Sequence, residues 1–427
     1  MIGANGSDVT PVTGVRGDRG PRTAIVVGAG IVGLSAAWFL QRRGVEVTVL
    51  DRDGVAAGAS RGNAGWIAPS LVALHEPAAL RYGLRSLTRP AGVRRNSPVP
   101  DREWWGFLAQ VTANRRWSSW TRAVRRNQPL TDECIDAFQV LTTNGVDART
   151  VEAPVVAAFR TVQQAEGLLG VLDRLEEIGH PVERSGLFGQ ALRAEMPLAS
   201  PALAVGVRIE GQRYADPEDF THALARSVLA RGGDIRTEEV VDVHARRGGV
   251  EVRTDGGPAL RADVAVIATG ASVARLARRC GVPVPARMSR GYSFTVAVDR
   301  PVPGPIYLPE ARAMCTPHRD GMRVAGMAES LVPEGEDVRS LIASARPLLE
   351  GVRWSERGNL WVGDGPVTPD GRPLIGATPV AGVYLAGGHD RWGFTHGPVT
   401  GRLLAEQITT GTRPEALRAF ALVNSRE

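Results

Sequence analysis

A short apolar run that ends in glycine-spaced residues, followed by a helix, a second strand and an acid, constrains this chain more than anything else in it. The stretch is Thr23 to Asp53, TAIVVGAGIVGLSAAWFLQRRGVEVTVLDRD. Ala24 to Val27 is β-branched and apolar, which predicts a buried parallel strand. Gly28, Gly30 and Gly33 form G-x-G-x-x-G: the first permits a tight turn, the second lets the backbone approach a pyrophosphate, and the third lets helix and strand pack closely. A helix then begins at Ile31 and Val32 and runs to Arg43, with Gly44 ending it. Its unpaired N–H groups and positive dipole end favour phosphate. Val45 to Leu50 predicts the second strand, with Asp51 and Arg52 at its end. Asp51 lies 23 residues after Gly28, where a carboxylate accepts from ribose hydroxyls and repels a 2′-phosphate, so NADP is disfavoured. FAD and NAD are not separable on this stretch.

Composition narrows the class. The chain has 427 residues and 43% hydrophobic content, enough for two domains with substantial cores. No apolar run approaches the roughly 20 residues that span a bilayer. Residues 1–21, rich in Gly, Asp and Arg, predict a disordered tail and not a secretory signal. Cys134, Cys280 and Cys315 are odd in number and show no C-x-x-C, which points to a reducing cytoplasm and away from a metal site. The net charge of +6 rests on 51 basic residues, all arginine and spread through the chain, so it does not mark a nucleic-acid surface.

Along the chain, GVAAGASRGNAGWIAPS (54–70) places Ser60, Arg61, Asn63, Ala64, Gly65 and Trp66 in a small-residue loop suited to wrapping a cofactor with backbone donors. Trp104 to Leu130 is aromatic and basic. A helix pair packed on the substrate domain is favoured for it over a membrane-surface helix, because Asn114, Ser118 and Ser119 interrupt the apolar stripe. Gln163–Ile178 predicts an amphipathic helix, and Asp216 caps a helix over Pro217–Arg231. Asp234 to Val243 predicts one strand, followed by a three-strand ribbon and a buried strand, Ala262–Ala268, ending at Thr269 and Gly270. Strands at Tyr292–Val298, Pro305–Leu308, Ala313–Pro317 and Met322–Met327, with a turn at Asp320–Gly321, predict a separate antiparallel sheet. Trp361 to Gly376 reads as turn-rich. A last strand, Gly382–Leu385, opens into AGGHDRWGFTHGP, and a final helix is predicted from about Pro398 to Thr409. Open N–H groups at Gly387, Gly388 and Gly393, with the helix end, favour negative charge on a neighbouring group.

The order of these pieces predicts an α/β Rossmann-type dinucleotide domain, with a parallel sheet and βββ meander, built from residues 22–86, 205–283 and 356–427. An α+β substrate domain on an antiparallel sheet takes 87–204 and 284–355. No second G-x-G-x-x-G occurs in strand-to-helix context, so a separate nicotinamide site is not expected.

The N-terminal unit, GASRGNAG, the Asp216 block, Ala268-Thr269-Gly270, Arg290-Gly291-Tyr292-Ser293, TPDG-x-P-x-IG at 368–376 and Gly388-His389 onward resemble the FAD-dependent D-amino-acid dehydrogenase and glycine oxidase group over about residues 22 to 410. The resemblance implies FAD and hydride transfer from an amine-bearing carbon to the flavin. The product imine is hydrolysed by water, and electrons pass on to oxygen or a quinone-type acceptor. It implies cofactor contacts at Gly28, Gly30, Ile31, Val32, Gly33, Asp51, Arg52, Ser60, Arg61, Asn63, Ala64, Gly65, Trp66, Val240, Thr269, Gly270, Gly388, Trp392, Gly393, Phe394 and Thr395. Candidate catalytic residues are Tyr292, His389, Arg391 and His396, and Cys315 is weighed as a covalent attachment point against a buried thiol. The family pattern W-x-G-x-R-P carries an arginine that clamps a substrate carboxylate. Gly365 stands there, beside Asp364. Either Arg391, Arg290 or Arg287 replaces that cation, or the substrate is an amine or amide-linked N-glycyl group of a larger metabolite with no free carboxylate. A NAD-dependent dehydrogenase is the alternative from another class, and a colourless protein would favour it.

Overall fold

The computed structural model describes residues 20–73, 102–114, 116–284, 287–319, 321–327 and 336–422. The 1–19 part of the expected tail, His75 and Asp320 lie outside them, and so do the side chains of Trp104 and Arg287.

A six-stranded sheet forms the first layer, in the order Leu374–Ala377, Val383–Gly387, Val264–Ile267, Thr23–Val27, Glu46–Asp51, Asp234–Thr237. Every neighbouring pair is parallel except the first, where Leu374–Ala377 runs antiparallel to Val383–Gly387. Thr23–Val27 is central and its last four residues are buried, as its unbroken apolar sequence requires. On one face the helix Ile31–Arg42 is sandwiched between the sheet and the helix Gly393–Thr410. The two backbones approach closely: a Cβ on Gly401 would lie 2.5 Å from the amide nitrogen of Ala36. On the other face lies the antiparallel ribbon Val240–Arg246, Gly249–Thr254, Leu260–Ala262.

An eight-stranded sheet forms the second lobe: Val352–Val367, Arg287–Val298, Gly321–Met327, Ala313–His318, Ile306–Leu308, Val155–Phe159, Val205–Ile209, Arg184–Phe188. It is antiparallel apart from the pairing of Ile306 and Tyr307 with Val156 and Ala157. One face packs on the helix Glu336–Ala345 around Phe294, Val296, Met322 and Val324, and the other meets Trp66, Ala64 and Trp392 of the first lobe.

Several expectations are corrected here. Val205–Ile209 and Val352–Val367 belong to the second sheet, so the boundaries placed at 205 and 356 fall too early. Asp234–Val243 is two strands: Asp234–Thr237 in the parallel sheet, then Val240–Arg246 in the ribbon. Trp361–Val367 is extended and not turn, because it pairs along Arg287–Ser293. The last helix starts at Gly393, with Pro398 inside it. The aromatic basic segment is the helix pair Arg102–Asn114 and Trp117–Thr143. There the Arg174 guanidinium lies 4.0 Å from the Trp117 ring centre, and Trp120 donates to the Ala73 carbonyl. Among the described residues no helix is long and apolar enough to cross a membrane.

Candidate active site

The glycine-spaced turn has the geometry its sequence demands. Gly28 has φ of +116°, and a Cβ there would lie 2.3 Å from the Ala268 carbonyl oxygen. A Cβ on Gly33 would lie 2.0 Å from the carbonyl oxygen of Gly28, so strand and helix meet with no room for a side chain. Ser60 completes the helix start: its Oγ accepts from the Ile31 N–H at 2.9 Å. Asp51 accepts from the N–H of Ala29 at 2.8 Å, Asp53 at 2.9 Å and Gly54 at 3.1 Å. A carboxylate has about four acceptor sites, so these bonds orient it and leave capacity for a hydroxyl donor. Arg52 turns outward to Asp53 at 2.8 Å. Val240 lies at the head of the ribbon, where its carbonyl accepts from Arg275 at 2.9 Å, and not in the strand before it.

The loop from Arg61 to Trp66 is held from both lobes. Arg323, 3% exposed, donates from Nε to the Asn63 carbonyl at 2.8 Å and from Nη2 to the Arg61 carbonyl and to Ser293 Oγ. Thr316 donates to the Ala64 carbonyl at 2.7 Å and accepts from Trp66 Nε1 at 2.8 Å. From the first lobe, Thr395 donates to the Trp66 carbonyl at 2.8 Å. Asn63 donates to the Arg391 carbonyl at 3.1 Å, and its own Oδ1 accepts from Gly65 N–H. Arg61 reaches Glu218 at 3.3 Å. Gly65, with φ of +80°, packs so that a Cβ would meet the Ala215 carbonyl at 2.0 Å.

Across from this loop, Gly388 at φ of +74° and Asp390 at φ of +50° make the turn into the last helix. The two histidines beside them face hydroxyls on helices. His389 Nε2 lies 3.0 Å from Thr400 Oγ1, and burial holds its pKa down at about 4, so the ring is neutral. His396 Nε2 lies 3.3 Å from Thr131 Oγ1. Both are buried packing groups, which weakens the expectation that they act on substrate. Phe394 enters the first core against Phe138 and Phe220, so only its backbone faces the turn. Arg391 Nε stands 3.6 Å from Asp390.

Strand alternation sorts the remaining candidates. Side chains on one strand point alternately to opposite faces. Tyr292, Phe294 and Val296 all enter the core under the Glu336–Ala345 helix, whereas Ser293 meets Arg323 and a Cβ on Gly291 would touch the Trp361 ring. Tyr292 is therefore a core aromatic on the far face, not a substrate-facing hydroxyl. The register pairs Arg290 with Asp364 and Ser289 with Gly365. Arg290 and Asp364, 3.2 Å apart, thus share the far face with Tyr292. Both are turned away from the face on which Gly365 lies, which corrects the candidacy of Arg290. Gly365 shares the near face with Gly291, Gly363 and Trp361, and among the described residues a Cβ built on it meets nothing within 4 Å. Cys315 is fully buried in the far-face core with its thiol pushed up to about 12 by desolvation, a structural thiol and not an attachment point.

The residues present fit a polar dinucleotide. Among the expected contacts, two buried polar atoms have no protein partner, Thr269 Oγ1 and Trp392 Nε1; buried donors are rarely left so, and Thr269 directly follows the strand end that touches Gly28. The contribution of Arg323, Ser293 and Thr316 is not evident from the sequence. Their only signal is a single polar residue among apolar neighbours on strands that, being central, are covered on both faces.

Comparison with known proteins agrees. The family model described as FAD dependent oxidoreductase (DAO) matches residues 23–407. The fold is similar to glycine oxidase from Geobacillus kaustophilus, with TM-score 0.70, 22% identity, and 95% of this chain and 99% of that one covered. Glycine oxidase from Bacillus cereus ATCC 14579 matches at TM-score 0.69 and 20% identity, covering 93% and 98%. Iminodiacetate oxidase from Chelativorans sp. BNC1 matches at 0.65 and 18%, also covering 93% and 98%. With the glycine turn, the two-lobed order and a family model spanning most of its length in agreement, the chain belongs to the DAO family of FAD dependent oxidoreductases.

Proposed function

We propose that this oxidoreductase converts an amine to an imine by removing hydride from the carbon bearing nitrogen, and that its substrate carries no free carboxylate beside that carbon. FAD would be held by Gly28, Gly30, Gly33, Asp51, Ser60, the Arg61–Trp66 loop, Thr269 and the Gly388–Thr395 turn, and would supply the hydride acceptor. The chain's own part is alignment and exclusion of water. A neutral amine needs little acid–base help once its C–H bond is aimed, which accords with His389 and His396 being committed to Thr400 and Thr131. The proton lost from nitrogen passes to solvent, and water then hydrolyses the imine. Electrons leave to oxygen or a quinone-type acceptor.

One observation carries the substrate reading: the open space at Gly365. Among the described side chains the near face there presents glycines and a tryptophan ring, with Arg290 turned to the other side and the Arg287 side chain outside the described residues. Such a surface accommodates a bulky neutral group better than a carboxylate, because a buried anion without a partner is costly. The only described cation at the cofactor turn, Arg391, is already near Asp390. Anaerobic mixing with glycine, D-amino acids, N-alkyl amino acids, simple amines and glycyl amides tests this. Fastest reduction by carboxylate-free compounds supports the reading, and fastest reduction by glycine or a D-amino acid removes it.

A further inference from the structure

The geometry points to Arg323 as the positioning residue that sets the direction of the Arg61–Gly65 loop, and with it the donor face this loop turns to FAD. Arg323 lies on a central strand, between Thr295 and Thr316 in register, with its side chain on the near face of the sheet. Its guanidinium spans two loop carbonyls, Arg61 and Asn63, and the fully buried Ser293 hydroxyl. In a planar trans peptide the C=O and the following N–H point opposite ways. Gly62, closing the helix Ala59–Gly62, keeps its N–H within that turn. With the carbonyl of Asn63 drawn toward Arg323 and that of Ala64 toward Thr316, the N–H of Ala64 is directed away from the sheet. That is the side on which the expected cofactor contacts lie.

A planar fork of donors is what reaches two separate carbonyls; a lysine ammonium is a compact point charge and holds one such arrangement less well. The charge survives burial because Asp216 and Glu218 lie near it, although desolvation still weakens its hold on the proton. Asp216 is itself placed by His318 at 2.8 Å and by the N–H of Asp219 at 2.9 Å. A buried positive charge beneath the loop also favours the negative charge that a flavin gains on reduction. Arg323 therefore couples the substrate sheet to both cofactor retention and cofactor potential. This holds whatever the substrate is.

The test uses the holoprotein and three variants, Arg323→Gln, Arg323→Lys and Ser293→Ala. Two quantities are read without substrate: FAD dissociation, and the two-electron midpoint potential. Arg323→Gln should weaken FAD binding about 10- to 150-fold, the range for hydrogen bonds to a charged group. It should also lower the potential by about 30 mV, the two-electron equivalent of a tenfold change. Arg323→Lys keeps the charge and loses the fork, so FAD binding should weaken while the potential stays at the parent value. Ser293→Ala, which leaves both carbonyl contacts, should change FAD binding by less than about threefold. Parent-like FAD affinity in Arg323→Lys overturns the inference, and that variant decides if Arg323→Gln does not fold. A lower melting temperature with unchanged affinity and potential would mark a residue that only stabilises the sheet, and overturns it equally.

Discussion

Replacing Gly365 by arginine tests the substrate reading with a change the fold can absorb. Among the described residues a Cβ at this position has no neighbour within 4 Å, and the backbone is extended strand paired with Ser289, so an L side chain enters without strain. Asp364 does not capture the new guanidinium, because alternation sends it to the other face, where Arg290 lies 3.2 Å away. The added cation is then available to a substrate carboxylate. A charge-assisted bidentate contact contributes about 1.5 to 3 kcal/mol, roughly 10- to 150-fold. Gly365→Arg should raise kcat/KM for glycine or a D-amino acid by about that factor relative to the matching amide, as read by anaerobic stopped-flow reduction and by steady-state turnover. FAD content and melting temperature should stay at parent values. A variant that folds and binds FAD normally but shows an unchanged carboxylate-to-amide ratio refutes the placement of Gly365 beside the substrate.

Three further outcomes follow from the geometry. Gly33→Ala places a methyl 2.0 Å from the Gly28 carbonyl oxygen; at about 1–3 kcal/mol for such overpacking, the purified protein should lose much of its FAD on gel filtration, and full FAD occupancy would contradict the tight turn. The folded His389 has its pKa depressed from 6.5 to about 4 by burial, so its contribution to stability is intact above pH 6.5 and is lost as pH falls toward 4. That loss amounts to roughly 3 kcal/mol. Urea midpoints of His389→Gln should therefore fall less steeply over this interval than those of the parent, and parallel acid limbs would argue against a buried neutral ring. Acid precipitation should release all flavin into the supernatant from both the parent and Cys315→Ala; flavin that stays with the parent pellet alone would mean Cys315 is an attachment point after all.

How much of this was legible in the sequence depends on how local each feature is. The glycine-spaced turn is local: Gly28 and Gly33 are required by contacts within one strand–helix unit, so their spacing exposes them. The ribbon and four strands of the second sheet, those between Arg287 and Met327, are legible from alternating apolar residues, whereas Val155–Phe159, Arg184–Phe188, Val205–Ile209 and Val352–Val367 join that sheet only through tertiary pairing. Misreadings arose where local chemistry and tertiary pairing disagree. Pro398 looks like a helix start because proline favours the first turn, yet the chain enters the helix at Gly393. The composition of Trp361–Val367 looks like turn because Gly, Asp and Pro dominate it, yet pairing with Arg287–Ser293 holds it extended. Strand alternation puts Tyr292 and Ser293 on opposite faces but does not say which face meets the cofactor loop, since that is set by packing against residues more than two hundred positions earlier. Arg323 is hidden for the same reason: beside Met322 and Val324 it reads as an ordinary solvent-facing residue.

The central claim is that electrons enter this protein directly from an amine-bearing carbon. Anaerobic titration of the yellow holoprotein with a carboxylate-free amine panel, glycine and D-amino acids, followed at the long-wavelength flavin band, tests it most directly. The account predicts that at least one amine bleaches the band stoichiometrically and that the released product is the corresponding carbonyl compound. A holoprotein whose band no amine bleaches, while a reduced nicotinamide nucleotide does, would contradict it.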